Sequence, residues 1–381
     1  MLPEHLQKRL LFQKQAELYR SPLQIKKRDG KYLLIDDRKI LNFASNDYLG
    51  LGVSGELRQR VAKNFSSYGT SSSSSRLVTG NYAVISEAER EYAAYFGYED
   101  ALFFPSGYQA NIGVLSSLFN QDDILIFDKH IHASAVKGIA LSKARFHGYN
   151  HNSMAHLHRR LDKNSKGRIT VVTESLFSMD GDLLDVETLL HLKHETGFFS
   201  IVDEAHAFGV LGQKGMGIAR DVADIAVGTF GKALGLFGAF VLLPEGFKEY
   251  LLNFCSPLIY TTTLPEAHAA SAIDLLDILS RCEDRREYLA WISRFMKNRL
   301  TDAGFTVTGD AHILAIEIGD ETRCMEISKR LFEKNVFVLP ARFPTVPLHR
   351  SLLRIGMTAL HTENDVRHLV DSLKKAYGDL E

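Results

Sequence analysis

The sequence predicts an α/β fold, with a mainly parallel sheet in a large domain and a smaller C-terminal α/β domain. Short apolar runs alternate with helical patterns along the middle of the chain: ALFF at 101–104 precedes PSGYQANIGVLSSLF, ILIF at 124–127 precedes HASAVKGIALSKA, and ITVVT at 169–173 precedes a helix around 189–194. Strands separated by helices pair in parallel and are covered on both faces, which is why each run is continuously apolar. Two more runs, at 198–202 and 224–227, open into DEAHAFGVLG and GTFGKALG, and so deliver Asp203 and His206 at one strand end and Thr229 and Lys232 at another. In open α/β sheets that carboxyl edge is where ligands bind, because the following helix N-termini point positive charge at it. After Pro265 a long helical stretch containing Trp291, broken near 281–286, leads to a shorter series of strands at 313–318, 336–340 and 352–358 around a helix at 325–334. The boundaries read as an arm and hairpin at 1–45, the large domain at 46–280 and the small one at 281–381.

A chain of 381 residues has ample core, and its 45 Lys plus Arg against 46 Asp plus Glu leave no charge footprint for nucleic acid or an anionic membrane. Any anion must be held locally. Cys255, Cys282 and Cys324 are far apart and lack CxxC spacing, which argues against a disulfide framework or a zinc site. The N-terminal MLPEHLQKRLLFQKQAELYR reads as an amphipathic docking helix through Leu6, Leu10 and Leu11. It lacks a signal-peptide core, and no apolar run reaches the roughly 20 residues needed to span a bilayer, so a cytoplasmic protein is expected.

Before the strand series, residues 30–43 alternate as a hairpin and lead into the polar loop SNDYLGL at 45–51, which makes Asn46 and Tyr48 loop residues. Residues 69–80 read GTSSSSSRLVTG, a run of small residues that is either a linker or a pocket lining. Ser86 and Glu89 have capping-box spacing ahead of Tyr92 and Phe96, with Gly97 as the stop; Thr362 and Asp365 repeat that spacing at the last helix. Gly107 falls between strand and helix, so its amide and that of Tyr108 can face a phosphate.

Lys232 stands among glycines and small residues, but GTFGKALG is not a nucleotide P-loop, which requires a wider glycine spacing and a hydroxyl after the lysine. An exposed lysine, a helix-capping aspartate and a packed imidazole are ordinary explanations for Lys232, Asp203 and His206 taken singly. Together they suit pyridoxal phosphate: an amine for the aldehyde, a carboxylate for the protonated ring nitrogen, and an imidazole for the phenolic oxygen. Phosphate donors are available in Gly107, Tyr108, Thr229 and a hydroxyl from Thr261 or Thr262. His130, His132, His147, His151, His156 and His158 tempt a metal reading, but their spacings form no compact ligand shell and no carboxylate or thiolate completes one. One imidazole, His132, lying flat on a pyridine ring is the better use.

DEAHAFGVLG, GTFGKALG, SNDYLGL, SGYQAN, DKHIHAS, TESLFSMDGD, IYTTTLP and FPTVP span nearly the whole chain, which thereby resembles the α-oxoamine synthases, a subfamily of the type I pyridoxal phosphate enzymes. The resemblance implies the type I pyridoxal phosphate-transferase fold and a homodimer with shared active sites. It implies that Lys232 binds the cofactor covalently, Asp203 pairs with the pyridinium, His206 and Ser178 meet the phenolic oxygen, and His132 stacks on the ring. Gly107, Tyr108, Thr229 and, from the other subunit, Thr262 would hold the phosphate. Arg354 would clamp the amino-acid carboxylate with Asn46 assisting, and Arg20 would contact substrate. A guanidinium suits that clamp because it binds carboxylates in a planar, bidentate way. Compact length and RFPTVP followed by LRIGMTALHT point within the family to the biotin-pathway branch, which condenses L-alanine with a pimeloyl thioester on CoA or acyl carrier protein. The alternatives are glycine with acetyl-CoA, another member of the family, or a regulator that binds the cofactor without catalysis.

Two departures stand out. TSSSSSR replaces a glycine-rich loop, which implies either ordinary backbone dihedrals or a changed acyl channel. LHRSLL follows FPTVP, and Leu352 occupies the first of two familiar arginine positions while Arg354 keeps the second.

Overall fold

A computed structural model describes residues 2–16, 18–164 and 167–378. The chain divides into two compact units, Leu49–Ser178 with Leu183–Arg286, and Met1–Tyr48 with Met179–Asp182 and Glu287–Glu381. The N-terminal residues therefore group with the C-terminal ones, and the division falls inside the helix Glu283–Asp302.

The large unit is built on seven strands: β1 (Asp100–Phe104), β2 (Asp123–Asp128), β3 (Arg145–Tyr149), β4 (Arg168–Glu174), β5 (Phe199–Asp203), β6 (Ile225–Thr229) and β7 (Ala239–Leu243). Their order across the sheet is β1-β7-β6-β5-β4-β2-β3. Only β7 runs against its neighbours, so the other six strands share one direction and open their carboxyl ends on one edge. Central strands are buried on both faces, and every residue of β7, AFVLL, is buried. On one face Phe104, Val114, Leu125, Ile201, Val227 and Val241 share a core. On the other, Tyr92 meets Phe103, Phe230 and Phe240 at ring-centroid distances of 5.2, 5.3 and 5.1 Å in edge-on contacts. Each such pair adds about 0.5–1.5 kcal/mol beyond burial.

Strand β3, RFHGY, and the helix Met154–Lys163 after it carry no clear strand or helix signal of their own in the sequence reading. β3 is an edge strand with Arg145 and Phe146 exposed, so it needs no continuous apolar run.

Helix α1 (Ala83–Phe96) ends as expected on Gly97, whose left-handed φ of 78° closes the last turn. Its start differs from the expectation. Tyr82 is the capping position, so Ser86 lies within the helix and the predicted capping box is not formed. Glu89 is instead fully buried and paired with Arg76, itself buried. The serine loop ahead of it is not a run of ordinary dihedrals, because Ser73 adopts φ of 51°. The loop is held down by Ser72 Oγ donating to the Thr263 carbonyl at 2.8 Å and Thr263 N–H donating to the Ser74 carbonyl at 3.0 Å. Gly80 closes it, since a Cβ there would lie 2.8 Å from the Ser74 oxygen.

In the other unit, Val307–Thr308, Ile313–Gly319, Ser351–Gly356 and Leu339–Ala341 form one antiparallel sheet. A second sheet joins Lys27–Asp29, the hairpin Tyr32–Ile35 and Arg38–Asn42, and Val336–Phe337. The single strand expected at 336–340 is thus two short strands, one in each sheet. The N-terminal helix Glu4–Gln15 forms but buries none of its residues, and Leu10, Leu11 and Phe12 are exposed, so it does not dock as expected within this chain. The final helix, Glu363–Gly378, does use its capping box: the Thr362 N–H donates to Asp365 Oδ2 at 2.7 Å, and the Asp365 N–H to Thr362 Oγ1 at 3.4 Å. Among the described residues no helix is long and apolar enough to cross a membrane.

His361, ahead of that helix, is fully buried and stacks on Phe43 with ring centroids 4.2 Å apart. Nδ1 accepts the Thr358 N–H at 3.2 Å, leaving Nε2–H to donate to the Asn42 carbonyl at 3.1 Å. Burial pushes its pKa down from 6.5 to about 4. The folded group therefore binds its proton only near pH 4, whereas the unfolded one takes it near 6.5, so its stabilising contribution is complete above that range and is lost as pH falls through it. The loss is about 3 kcal/mol by pH 4. Urea midpoints measured from neutral pH downward should fall through this window, with a shallower slope in His361→Gln; equal slopes in the two proteins contradict the expectation.

Candidate active site

The carboxyl edge of the six co-directional strands gathers the titratable groups. After β1, Ser106 caps helix α2 (Gly107–Ser117), its Oγ accepting the Gln109 N–H at 3.2 Å. The first-turn amides of Gly107 and Tyr108 have no intrahelical acceptor, and Tyr108 is exposed. A Cβ on Gly107 would meet nothing closer than 4.0 Å, so the space over this helix end is open. Unsatisfied first-turn amides with open space over them are compatible with an anion.

Strand β2 ends on Asp128, whose buried carboxylate accepts the N–H groups of His130 at 2.8 Å and Asn152 at 2.7 Å. His130 and His151 stack with ring centroids 3.9 Å apart, and His151 Nδ1 lies 3.0 Å from Asp128. The expectation that no carboxylate accompanies these imidazoles is corrected by Asp128, which stands two residues before His130 and is brought against His151 by the end of β2. Beyond it His132 caps helix α3 (Ala133–Leu141); the residue is accessible to solvent, while the protein packed around its ring partly desolvates the imidazole.

Strands β4 and β5 end in register on Glu174 and Asp203. Two acids side by side at a sheet edge cannot both ionise cheaply. Glu174 is the fully buried one, and its pKa stands well above the carboxylate range, first because of burial and then because of the Asp203 charge, with Lys232 opposing. Both causes hold the proton on Glu174 more tightly, and its carboxyl accepts the His132 N–H. Asp203 is half-buried and accepts the Ala205 N–H at 3.0 Å and the Asn111 amide at 2.8 Å. His132 is lowered by burial, raised by Asp203 and lowered by Lys232, so amine, carboxylate and imidazole lie within electrostatic reach of one another.

Lys232 is half-buried in the turn after β6, and His206 is buried after β5. Ser178 is partly exposed after β4. Thr229 differs from the expectation of a free donor: its hydroxyl donates to the Gly238 carbonyl at 3.0 Å and accepts the Gly231 N–H at 3.2 Å. Donation to an anion requires exchange of the Gly238 bond. Thr262 is exposed beside the buried Thr263, on the segment tied to the serine loop.

In the other unit Arg354 is buried on Ser351–Gly356, its Nη2 donating to Asn46 Oδ1 at 3.2 Å and to the Tyr48 hydroxyl at 3.4 Å. The Tyr48 hydroxyl donates to the same Asn46 oxygen at 3.0 Å, which orients the amide. Arg20 is exposed and lines a cavity of about 730 Å³ with Leu23, Phe332, Arg342 and Phe343. Neither Asn46 nor Arg354 lines it.

Sequence reasoning passed over Asn111, Ser134 and Glu174, although each lies inside a motif quoted for its neighbours: SGYQAN, DKHIHAS and TESLFSMDGD. Their signal was polarity inside otherwise apolar helix or strand positions.

An amine, a carboxylate, imidazoles and a helix N-terminus on one sheet edge fit pyridoxal phosphate, and the open space over Gly107 leaves room for its phosphate. Fold and site thus define the class as pyridoxal phosphate enzymes. Residues 38–373 match the aminotransferase class I and II family. The chain is 38% identical over 376 residues, 97% of its length and 95% of the relative's, to a Bacillus cereus (strain Q1) protein named "Putative 8-amino-7-oxononanoate synthase". A Bacillus thuringiensis subsp. konkukian relative of the same name is 37% identical over 377 residues, 97% of this chain and 95% of that one. Among solved structures, Sphingomonas wittichii serine palmitoyltransferase superposes with a TM-score of 0.91 at 27% identity, covering 98% of this chain and 96% of that one. The 8-amino-7-oxononanoate synthase of Francisella tularensis superposes with a TM-score of 0.78 at 29% identity, covering 90% and 98%. The chain belongs to the aminotransferase class I and II family of pyridoxal phosphate enzymes and, within it, to the α-oxoamine synthases.

Proposed function

We propose that the enzyme condenses L-alanine with a pimeloyl thioester, carried on CoA or acyl carrier protein, releasing the thiol and carbon dioxide to form 8-amino-7-oxononanoate for biotin biosynthesis. The observation that carries this reading is the end-to-end similarity to relatives bearing that enzyme's name, 38% identity over 97% of the chain. Its cofactor is pyridoxal 5′-phosphate, which when bound supplies an electron sink for a carbanion at the amino-acid Cα.

Lys232 binds the cofactor through its amine and, once released, moves the proton at Cα. Asp203 holds the ring nitrogen protonated, and burial favours the uncharged form of Glu174 beside it. His132 covers one ring face, and His206 and Ser178 meet the phenolic oxygen. The amides of Gly107 and Tyr108, the hydroxyl of Thr229 and, in a homodimer, a Thr262 hydroxyl from the partner subunit hold the phosphate. Arg354 and Asn46 grip the amino-acid carboxylate and so orient the bonds at Cα. Arg20 contacts substrate.

Similarity to serine palmitoyltransferase makes serine with a long acyl thioester a competing pair. Steady-state assays should cross L-alanine, glycine and L-serine with pimeloyl, acetyl and palmitoyl thioesters. Alanine with a pimeloyl thioester is expected to lead in kcat/KM by about tenfold or more. A lead for glycine with acetyl-CoA, or for serine with the palmitoyl thioester, overturns the substrate assignment and leaves the family in place.

A further inference from the structure

Asn111 and Ser134 have no role in the scheme above, yet both are buried and both reach the groups at the sheet edge. Asn111 stands on α2 and Ser134 on α3. Asn111 Nδ2 lies 2.8 Å from Asp203 Oδ2 and 3.0 Å from Ser134 Oγ. Ser134 Oγ is in turn 2.7 Å from His132 Nδ1, and the Ser134 backbone N–H points at the same nitrogen from 3.3 Å.

Donor and acceptor capacity decides the direction of every bond in this chain. A carboxylate only accepts, so Asn111 turns its NH2 group to Asp203. That group has a second proton, which goes to Ser134 Oγ. The Ser134 hydroxyl, accepting there, directs its own proton to His132 Nδ1. A backbone N–H can only donate, so the Ser134 amide, at the longer 3.3 Å, adds a weaker bias toward the same tautomer.

We propose that Asn111 and Ser134 are positioning residues that hold His132 as the neutral tautomer protonated on Nε2 and tie that state to the Asp203 carboxylate. The proposal rests on the reading that His132 and Asp203 face the cofactor. Partial desolvation of the imidazole favours the same neutral form. Three hydrogen bonds then link the acid on the ring nitrogen to the imidazole on the ring face. Nε2–H is left as the one donor that His132 offers to a bound substrate. Ser134 makes both contacts to the ring from α3, and Asn111 reaches it only through the Ser134 hydroxyl from α2.

The test is the tautomer in the cofactor-loaded enzyme labelled with nitrogen-15 histidine. In mildly alkaline buffer the long-range proton–nitrogen spectrum should show His132, assigned by the signal lost in His132→Gln, with Nε2 protonated and Nδ1 not. Asn111→Leu removes both donors, frees the Ser134 hydroxyl to accept, and should populate the Nδ1–H form while raising the cofactor dissociation constant about tenfold. Ser134→Thr, which keeps the hydroxyl, should retain the wild-type spectrum. A wild-type His132 protonated on Nδ1 overturns the proposal, as does an unchanged His132 signal in folded Asn111→Leu. The spectrum does not depend on which amino acid or thioester is used, so failure of the substrate assignment is read separately, in the assays above.

Discussion

Lys232→Ala is expected to lower turnover by about 10⁴-fold or more and to remove the visible absorbance of lysine-bound cofactor. The size of the effect follows from two roles on one atom. In the proposed scheme the amine both attaches the cofactor and transfers the Cα proton, and no other lysine lies in the turn after β6. Lys232 is half-buried there, within electrostatic reach of Glu174 and His132, so its removal also changes the electrostatics of the edge. Because the residue sits in a turn of small side chains, the fold should tolerate alanine. Steady-state kinetics and the cofactor spectrum, taken with a urea titration showing unchanged stability, check this; full turnover in the variant would remove Lys232 from the mechanism.

The second large effect is expected on stability. Arg76→Leu should destabilise the large unit by about 3–5 kcal/mol, because it leaves a buried carboxylate without its main partner. Glu89 is fully buried and receives both Arg76 Nη groups, the Phe103 N–H at 2.9 Å and Lys248 Nζ at 3.3 Å. Arg76 also donates to Asn81 Oδ1 from Nη2 at 2.7 Å, which secures the end of the serine loop. Lys248 cannot replace it, since it is shared with Asp100 at 3.1 Å. In urea denaturation the double variant Arg76→Leu with Glu89→Leu should recover part of the loss, since the unpaired charge is gone. A single variant within about 0.5 kcal/mol of wild type would show that the pair contributes little.

That pair also shows where sequence reasoning stops. Ser86 with Glu89 and Thr362 with Asp365 carry the same local spacing, yet only the second pair caps a helix. What diverts Glu89 is Arg76, thirteen residues earlier on a loop, together with the β1 amide of Phe103. A competitor from outside the window outweighs the local motif. The reverse holds at Gly97, where a single residue with access to positive φ ends α1 whatever surrounds it. Strand β3 was illegible for a different reason: an edge strand has one neighbour and one exposed margin, so RFHGY carries none of the apolar continuity that marks β4 or β7. The serine loop was legible as a departure but not as a shape. Ser73 takes the left-handed conformation without glycine because Ser72 and Ser74 are pinned to Thr263 on either side.

By itself the sequence determined the direction of the central strands and the residues at their ends. Alternating apolar runs and helices make those strands run in one direction, and residues just beyond each run, Gly107, His132, Asp203 and Lys232, then emerge on one edge. Only the tertiary structure decided the state of those groups. Burial beside Asp203 raises the proton affinity of Glu174, and His132 holds its proton on Nε2 because Ser134, itself bonded to Asn111 from a second helix, directs its hydroxyl to Nδ1. Chain direction is set by patterns a few residues long, whereas proton affinity depends on burial and on charges a few ångströms away that are far apart in sequence.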